Sequence, residues 1–287
     1  MNAQRLLGKL HVEHPEDSTQ PVVYRLDSAG ESLTNWLGRR VRLRATGRIV
    51  CVGCGAITRK SYAQGHCFRC FKTLARCDLC VMAPQRCHYQ AGTCREPSWG
   101  EEFCMQPHWV YLSNVTGLKV GITRRGLERG RWVDQGAAQG RLLAETHSRH
   151  AAGLLEADIA QQVSDRGQWR QMVSTSPPAI NLQGAAIELG EKHSENHPDA
   201  RFLAAADVHQ IVYPVLRWPP ANRLNFRGAN LHEGVLCGIK GQFLLLDHGV
   251  FNVREHSGYE VEISVGDKLA EPPSLSASIQ SQMELFQ

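Results

Sequence analysis

The chain has 287 residues, 42% of them hydrophobic, and a formal net charge of +4. That length is enough for two domains with sizeable cores, and no apolar run approaches the roughly 20 residues needed to cross a bilayer. With no secretory signal at the start, the expectation is a soluble, cytoplasmic protein with no membrane partner.

Residues 1–50 read as an N-terminal β unit, with strands over 7–12, 22–26 and 40–50. In the last of these Val41, Leu43 and Ala45 point one way and Arg40, Arg42 and Arg44 the other. Turn chemistry at Pro15-Glu16-Asp17-Ser18 and Ser28-Ala29-Gly30 separates the runs. Between Arg39 and Arg76 there are ten Lys or Arg residues and no Asp or Glu. A few of these cations can offset thiolate charge in the neighbouring cysteine segment, but ten exceed that need. The surplus predicts a basic face for a phosphate backbone, formed by Arg39, Arg40, Arg42, Arg44, Arg59 and Lys60, with Arg124 further on.

The segment 51–106 holds nine of the ten cysteines. Cys51-x-x-Cys54 and Cys67-x-x-Cys70 are spaced to place four thiolates around one Zn²⁺, with the intervening residues folding back as a hairpin. A closed four-cysteine site is structural, so this zinc is read as a staple. A second zinc is expected from Cys77, Cys80, Cys87, Cys94 and Cys104. Cys77 and Cys80 repeat the spacing, and the other two ligands are left open among Cys87, Cys94, Cys104, His88 and His108. Iron–sulfur ligation is the rival use of such thiolates, and disulfides suit a cytosolic chain poorly.

Residues 107–178 read as a separate core. A strand at 108–112 and a turn at 114–117 lead to a second arm at 118–123. A short Arg-bearing helix, a strand over 141–146 and a helix over 151–163 follow. In that last helix Ala152, Leu155, Ile159 and Val163 share one face, with Glu156 at its edge. This order resembles the catalytic core of the GIY-YIG nucleases. Trp109-Val110-Tyr111 is similar to the first tripeptide of that family. Lys119-Val120-Gly121 is similar to the second, with Lys119 where the family has tyrosine. Arg131, with Arg129 as a close alternative, matches the helix arginine, and Glu156 matches the metal-holding glutamate. The whole chain also resembles an uncharacterised bacterial and archaeal family that joins such a core to a cysteine-rich segment, with Gly-Thr-Cys-Arg-Glu-Pro at 92–97 and Lys-Val-Gly-Ile-Thr-Arg at 119–124. The nuclease resemblance implies that Tyr111 acts at the water, that Arg131 clamps phosphate, and that Glu156 holds Mg²⁺ or Mn²⁺, with Lys119 either a base or a phosphate contact in a core that has lost catalysis.

A polar connector spans 179–208, helical or partly open. Residues 209–266 read as a small β-barrel with faint echoes of the N-terminal unit, which suggests two related units or one barrel closed by both termini. The tail, 267–287, carries Pro272-Pro273 and a serine-rich stretch and is expected to be disordered. It ends in Gln282, Met283, Glu284, Leu285 and Phe286, a pattern similar to the peptide with which bacterial repair proteins bind the sliding clamp.

Taken together, the expectation is an α+β protein in which small β-sheet or barrel units flank a zinc ribbon and a GIY-YIG-like antiparallel core. Its expected function is nucleic-acid binding, DNA before RNA, as a divalent-metal-dependent endonuclease. The alternative is an adaptor that keeps the nuclease fold without cleavage.

Overall fold

The computed structural model describes residues 3–27, 30–164, 167–268 and 275–284. In chain order the first elements are β1 (Ala3–Leu6), β2 (His11–Glu13), β3 (Val23–Arg25), β4 (Arg39–Ile49) and α1 (Phe68–Thr73). Next come α2 (Leu79–Met82), α3 (Pro97–Phe103), β5 (His108–Asn114), β6 (Leu118–Arg124), α4 (Glu128–Asp134), β7 (Gln139–Thr146) and α5 (Arg149–Ile159). Then follow α6 (Trp169–Met172), α7 (Leu182–His193), β8 (Arg201–Phe202), β9 (His209–Gln210) and β10 (Arg223–Leu224). The chain closes with β11 (Leu231–Lys240), β12 (Phe243–Leu246), β13 (Gly249–Asn252), β14 (Tyr259–Lys268) and α8 (Leu275–Glu284). These elements form two compact units, one of residues 1–71, 169–176 and 212–287, the other of 72–168 and 177–211.

The first unit is built on a sheet in the order β1-β14-β4-β11-β12-β13-β10, antiparallel except at the short β10/β13 pair. The N-terminal and C-terminal strands, predicted as separate units or as one barrel, share this one sheet. Strand β4 lies between β14 and β11 because its alternation suits both neighbours. Val41 and Leu43 are buried while Arg40, Arg42 and Arg44 stay exposed. Register shifts in the β14/β4 and β11/β12 pairs curl the sheet. Residues 169–176, assigned from sequence to the core, belong to this unit, with the Trp169 ring stacked on Phe243 at 5.9 Å. The tail also differs from expectation, since α8 occupies much of the stretch whose composition predicts disorder.

The second unit has a five-stranded sheet in the order β6-β5-β7-β8, with β9 also paired to β7. The β5/β6 hairpin follows the predicted turn, and every residue of β5 is buried, so both faces of the strand are covered. On one face Val110, Leu112, Val120 and Ile122 pack with Ala152, Leu155, Ile159 and Val163, the apolar stripe anticipated for α5. The predicted polar connector supplies α7, whose Leu182, Ala186 and Leu189 join the same core. On the other face Trp132 of α4 lies against Gly140, where a Cβ would come within 2.4 Å of the indole. No helix among the described residues is long and apolar enough to cross a membrane.

Candidate metal centre and a tyrosine–arginine–glutamate cluster

Strand β4 runs straight into the first cysteine pair, in the first unit. The backbone turns at once, with Gly55 at φ +73° donating its N–H to Cys51 O at 2.9 Å. The second pair brackets the first turn of α1 rather than forming a second knuckle, and the predicted hairpin is reduced to single bridges, Val50 with Ile57 and Tyr62 with His66. Ligand atoms of Cys51, Cys54, Cys67 and Cys70 all lie within 4.8 Å of one another. Cys54 Sγ and Cys67 Sγ are 3.8 Å apart. That is the separation, about 3.8 Å, that tetrahedral Zn–S bonds of about 2.3 Å impose, and it is far beyond a disulfide's roughly 2.05 Å. None of the ten cysteines forms a disulfide. The donor set therefore fits Zn²⁺. Burial alone would raise the Cys51 thiol, but the N–H groups of Cys67, Cys54 and Gly53 directed at its sulfur outweigh this and hold it down at about 6. Cys70 is pushed up to about 12, first by its hydrogen bond with Cys54 and then by burial.

The remaining cysteines lie in the second unit. Asp78, Cys80 and His88 bring donor atoms within 4.8 Å of one another, although Asp78 already caps α2 through Leu79 N at 2.6 Å and pairs with Arg95 Nε at 2.7 Å. The Cys80 thiol is raised by burial, then by the charges of Asp78, Cys87 and Cys94. Cys104 is pushed up to about 11, chiefly by burial, with Cys87, Cys80 and Cys94 adding to the rise and Arg149 opposing it. The fold thus draws Cys80, Cys87, Cys94 and Cys104 into one electrostatic neighbourhood. Cys77, expected from spacing to partner Cys80, is half-buried three positions before it in the chain. His108, a candidate ligand from sequence, is wholly buried and donates through Nδ1 to Gln106 O at 2.7 Å.

The sheet of the second unit brings together three of the four residues that the nuclease resemblance singles out. Tyr111 stands opposite Gly121, whose missing Cβ makes room for the phenol, since a methyl there would meet Tyr111 Oη at 2.5 Å. The phenol is 0% exposed, donates to Gln135 Oε1 at 2.9 Å, and rests edge-on to Trp132 with ring centroids 6.1 Å apart. Burial pushes its pKa up, while the charge and hydrogen bond of Arg131 pull it down. Glu156 reaches the same place electrostatically. Arg131, not Arg129, is the helix arginine beside the tyrosine; Arg129 lies toward His209 instead. Lys119 is half-buried opposite Ser113, two positions from Gly121 on the same face of β6.

Two members of this cluster carried no sequence signal. Gln135 follows α4, and Arg149 opens α5 with its Nη2 donating to Val81 O at 2.7 Å. Arg149 lies within electrostatic reach of Arg131 and Glu156 as well as of Cys104 and Cys80. Ser113 Oγ and the indole nitrogens of Trp109 and Trp132, around the same face, are buried without hydrogen-bond partners among the described residues.

The basic face of β4 is present but largely paired. Arg40 and Arg42 meet Glu233 of β11, and Arg44 and Arg48 meet Glu262 and Glu260 of β14. Arg39 Nε donates to Gly266 O at 2.9 Å. The carboxylates come from strands more than 180 positions away in sequence, which is why the local stretch reads as uniformly cationic. Arg59 and Lys60, between the two cysteine pairs in the chain, are exposed, with Lys60 Nζ 5.1 Å from the Tyr62 ring centre. Arg124 lies over the Phe103 ring at 5.1 Å.

In the tail, Gln282 is buried rather than displayed. It accepts from Tyr213 N at 3.2 Å and donates to Tyr213 O at 3.0 Å. Met283 is half-buried, and Leu285 and Phe286 lie outside the described residues.

No curated protein and no solved structure matches the chain. A family model does match it, over residues 38–261, a span that takes in the four-cysteine centre and the tyrosine–arginine–glutamate cluster. The chain belongs to the family described as "Protein of unknown function (DUF2797)".

Proposed function

We propose that this is a zinc-containing nucleic-acid-binding protein whose Tyr111, Arg131 and Glu156 cluster takes a phosphodiester and, with Mg²⁺ or Mn²⁺, hydrolyses it. The observation that carries this reading is the convergence of a tyrosine, an arginine and a glutamate from β5, α4 and α5 on one place. In this reading Arg131 clamps the phosphate and stabilises charge developing on it. Tyr111, fully enclosed, orients Arg131 rather than touching water. Glu156 would supply a hard oxygen ligand to a small divalent cation, which would neutralise charge on the phosphate. Arg131 and Arg149 lie within electrostatic reach of one another, with Glu156 beside Arg149, so their positive charge would favour a phosphate there.

The four-cysteine centre holds the surface that grips the strand. Ile57 is 69% exposed there, and Phe68 is exposed with its edge toward Tyr62, beside Arg59 and Lys60. Apolar and aromatic surface next to cations suits stacked bases and phosphates. In the second unit we assign a second structural zinc to Cys80, Cys87, Cys94 and Cys104. If the tail also engages a sliding clamp, Gln282 has to leave Tyr213 first.

A panel of branched, single-stranded and duplex DNA and RNA substrates with Mg²⁺ and Mn²⁺ tests the reading. Cleavage by the parent protein is expected. Glu156→Ala should abolish it while leaving binding intact, and Arg131→Ala should slow it by roughly 10²-fold. Full activity in Glu156→Ala sinks the site. A second reading, binding without cleavage, is favoured by Lys119 standing where the nuclease family has tyrosine; inactivity of the parent on every substrate, with binding retained, selects it.

A further inference from the structure

In the second unit, apart from the cysteines and from Tyr111, three metal-binding side chains converge. Asp158 lies in the last turn of α5, His193 is the last residue of α7, and His197 follows it by four positions. His197 N donates to His193 O at 3.2 Å, so the helical turn continues and keeps both imidazoles on one side. Asp158 Oδ2 lies 2.8 Å from His193 Nδ1 and 3.1 Å from His197 Nε2. The three donor atoms fall within 4.8 Å of one another. His193 is 3% exposed, while His197 and Asp158 are half-buried, so the group is anchored on one side and reachable on the other.

We propose that Asp158, His193 and His197 form a site for a divalent transition metal ion, bound through one carboxylate and two imidazoles. This set of donors suits zinc and its neighbours rather than Mg²⁺ or Ca²⁺, which take oxygen ligands. Ligands 2.0–2.1 Å from a tetrahedral ion stand about 3.3 Å apart, so Asp158 Oδ2 has to withdraw by only about half an ångström from His193 Nδ1 and by less from His197 Nε2.

Two further features favour a cation here. Asp158 sits at the negative end of α5, where a carboxylate is disfavoured unless positive charge accompanies it. The C-terminus of α7 adds its own partial negative charge at His193. An outer shell is also in place. Gln161 Nε2 donates to Asp158 Oδ1 at 3.3 Å, and the amide of Gln162 faces His193 Nε2 at 3.4 Å. With His193 Nδ1 on the metal the ring proton resides on Nε2; Gln162 presents Nε2 there while its Oε1 accepts from Lys192 Nζ, so its amide has to flip to take that proton. Three protein ligands leave at least one coordination position for water or a small anion, unlike the closed cysteine centre.

The test uses the full chain. Cysteine sites are first filled with zinc, and the protein is then titrated with Zn²⁺ and, in parallel, with Co²⁺. One further equivalent is expected per chain. The additional cobalt should give d–d absorption without the thiolate-to-metal bands of the cysteine centre. Asp158→Asn and His197→Ala should each weaken that equivalent at least tenfold and leave the thiolate bands of a fully cobalt-loaded sample unchanged. His197 is partly exposed, so His197→Ala decides the matter should Asp158→Asn fail to fold, with circular dichroism as the check. Equal stoichiometry and affinity in the parent and a folded His197→Ala protein would overturn the proposal.

Discussion

His108 and Lys240 are buried ionisable groups whose titration is shifted chiefly by burial, and each makes the stability of its own unit depend on pH. In the second unit burial holds His108 down at about 4, and the nearby Arg149 and Arg124 add to the effect. In the unfolded chain the same ring titrates near 6.5. Between these values the unfolded state binds more protons, so stability is complete above about 6.5 and is lost as pH falls toward 4. The loss amounts to about 3 kcal/mol. Urea unfolding of His108→Phe should show a flatter pH profile over that window, and an unchanged slope would mean that other groups govern acid unfolding. Lys240 in the first unit is held by Thr175 O at 3.3 Å and lies near the Tyr213 and Trp218 rings, 5.3 and 5.1 Å away. Burial pushes it down to about 7 from an ordinary 10.5. Its contribution is therefore fully present only above about 10.5 and is lost as pH falls through 7. Lys240→Met, which keeps the length and removes the charge, should raise the melting temperature at pH 7 by a few degrees. A lower melting temperature would show that the ammonium contributes net stabilisation there.

At the level of elements, what the sequence reveals is what lies within one element. The alternation of β4, the β5/β6 hairpin and the stripe Ala152, Leu155, Ile159 and Val163 are all local patterns, and all appear in the structure. What pairs across long separations is not local. Glu233, Glu260 and Glu262 approach the β4 arginines only once the sheet exists, and Arg149 approaches Arg131 and the cysteines only through packing around α5. The same holds for α7, where polar residues at 188, 191 and 195 mask the buried Leu182, Ala186 and Leu189. The candidate cluster was legible only because Tyr111, Arg131 and Glu156 each sit at a recognisable point of a recognisable element. Gly121 gives this a direct test. Gly121→Ala drives a methyl into the Tyr111 phenol, 2.5 Å away, at the middle of a buried strand pair. Overpacking of this kind costs roughly 1–3 kcal/mol. It should also move Tyr111 away from Arg131, so any cleavage or phosphate binding should fall further than stability. Activity that survives while stability drops would separate Tyr111 from the function.

Across the whole molecule the sequence divides into six segments, but the chain folds into two units, each gathered from stretches that other segments interrupt. Composition marks changes of local character, and the cysteine segment is the sharpest such change. The fold nonetheless divides it, with Cys51, Cys54, Cys67 and Cys70 in the first unit and the other five of its cysteines in the second. The two groups should therefore respond separately to loss of metal. The region from Cys51 to Cys70 has few backbone pairings of its own, chiefly two single bridges and one short helix, so a zinc ion held by its four cysteines would supply most of its cohesion. In small zinc domains that contribution is on the order of 10 kcal/mol. Hydrogen bonds to its sulfur hold the Cys51 thiol down, whereas Cys70, pushed up to about 12, has to give up its proton to bind a metal. Zinc uptake should thus release protons, and affinity should fall as the solution is acidified. Hydrogen exchange on Cys51→Ser should then show protection lost over residues 50–71 while β5, β6 and β7 keep theirs. Loss of protection spread evenly over both units would instead mean that the four-cysteine centre supports the entire chain, and a Cys51→Ser protein that exchanges like its parent would mean that no metal holds this segment.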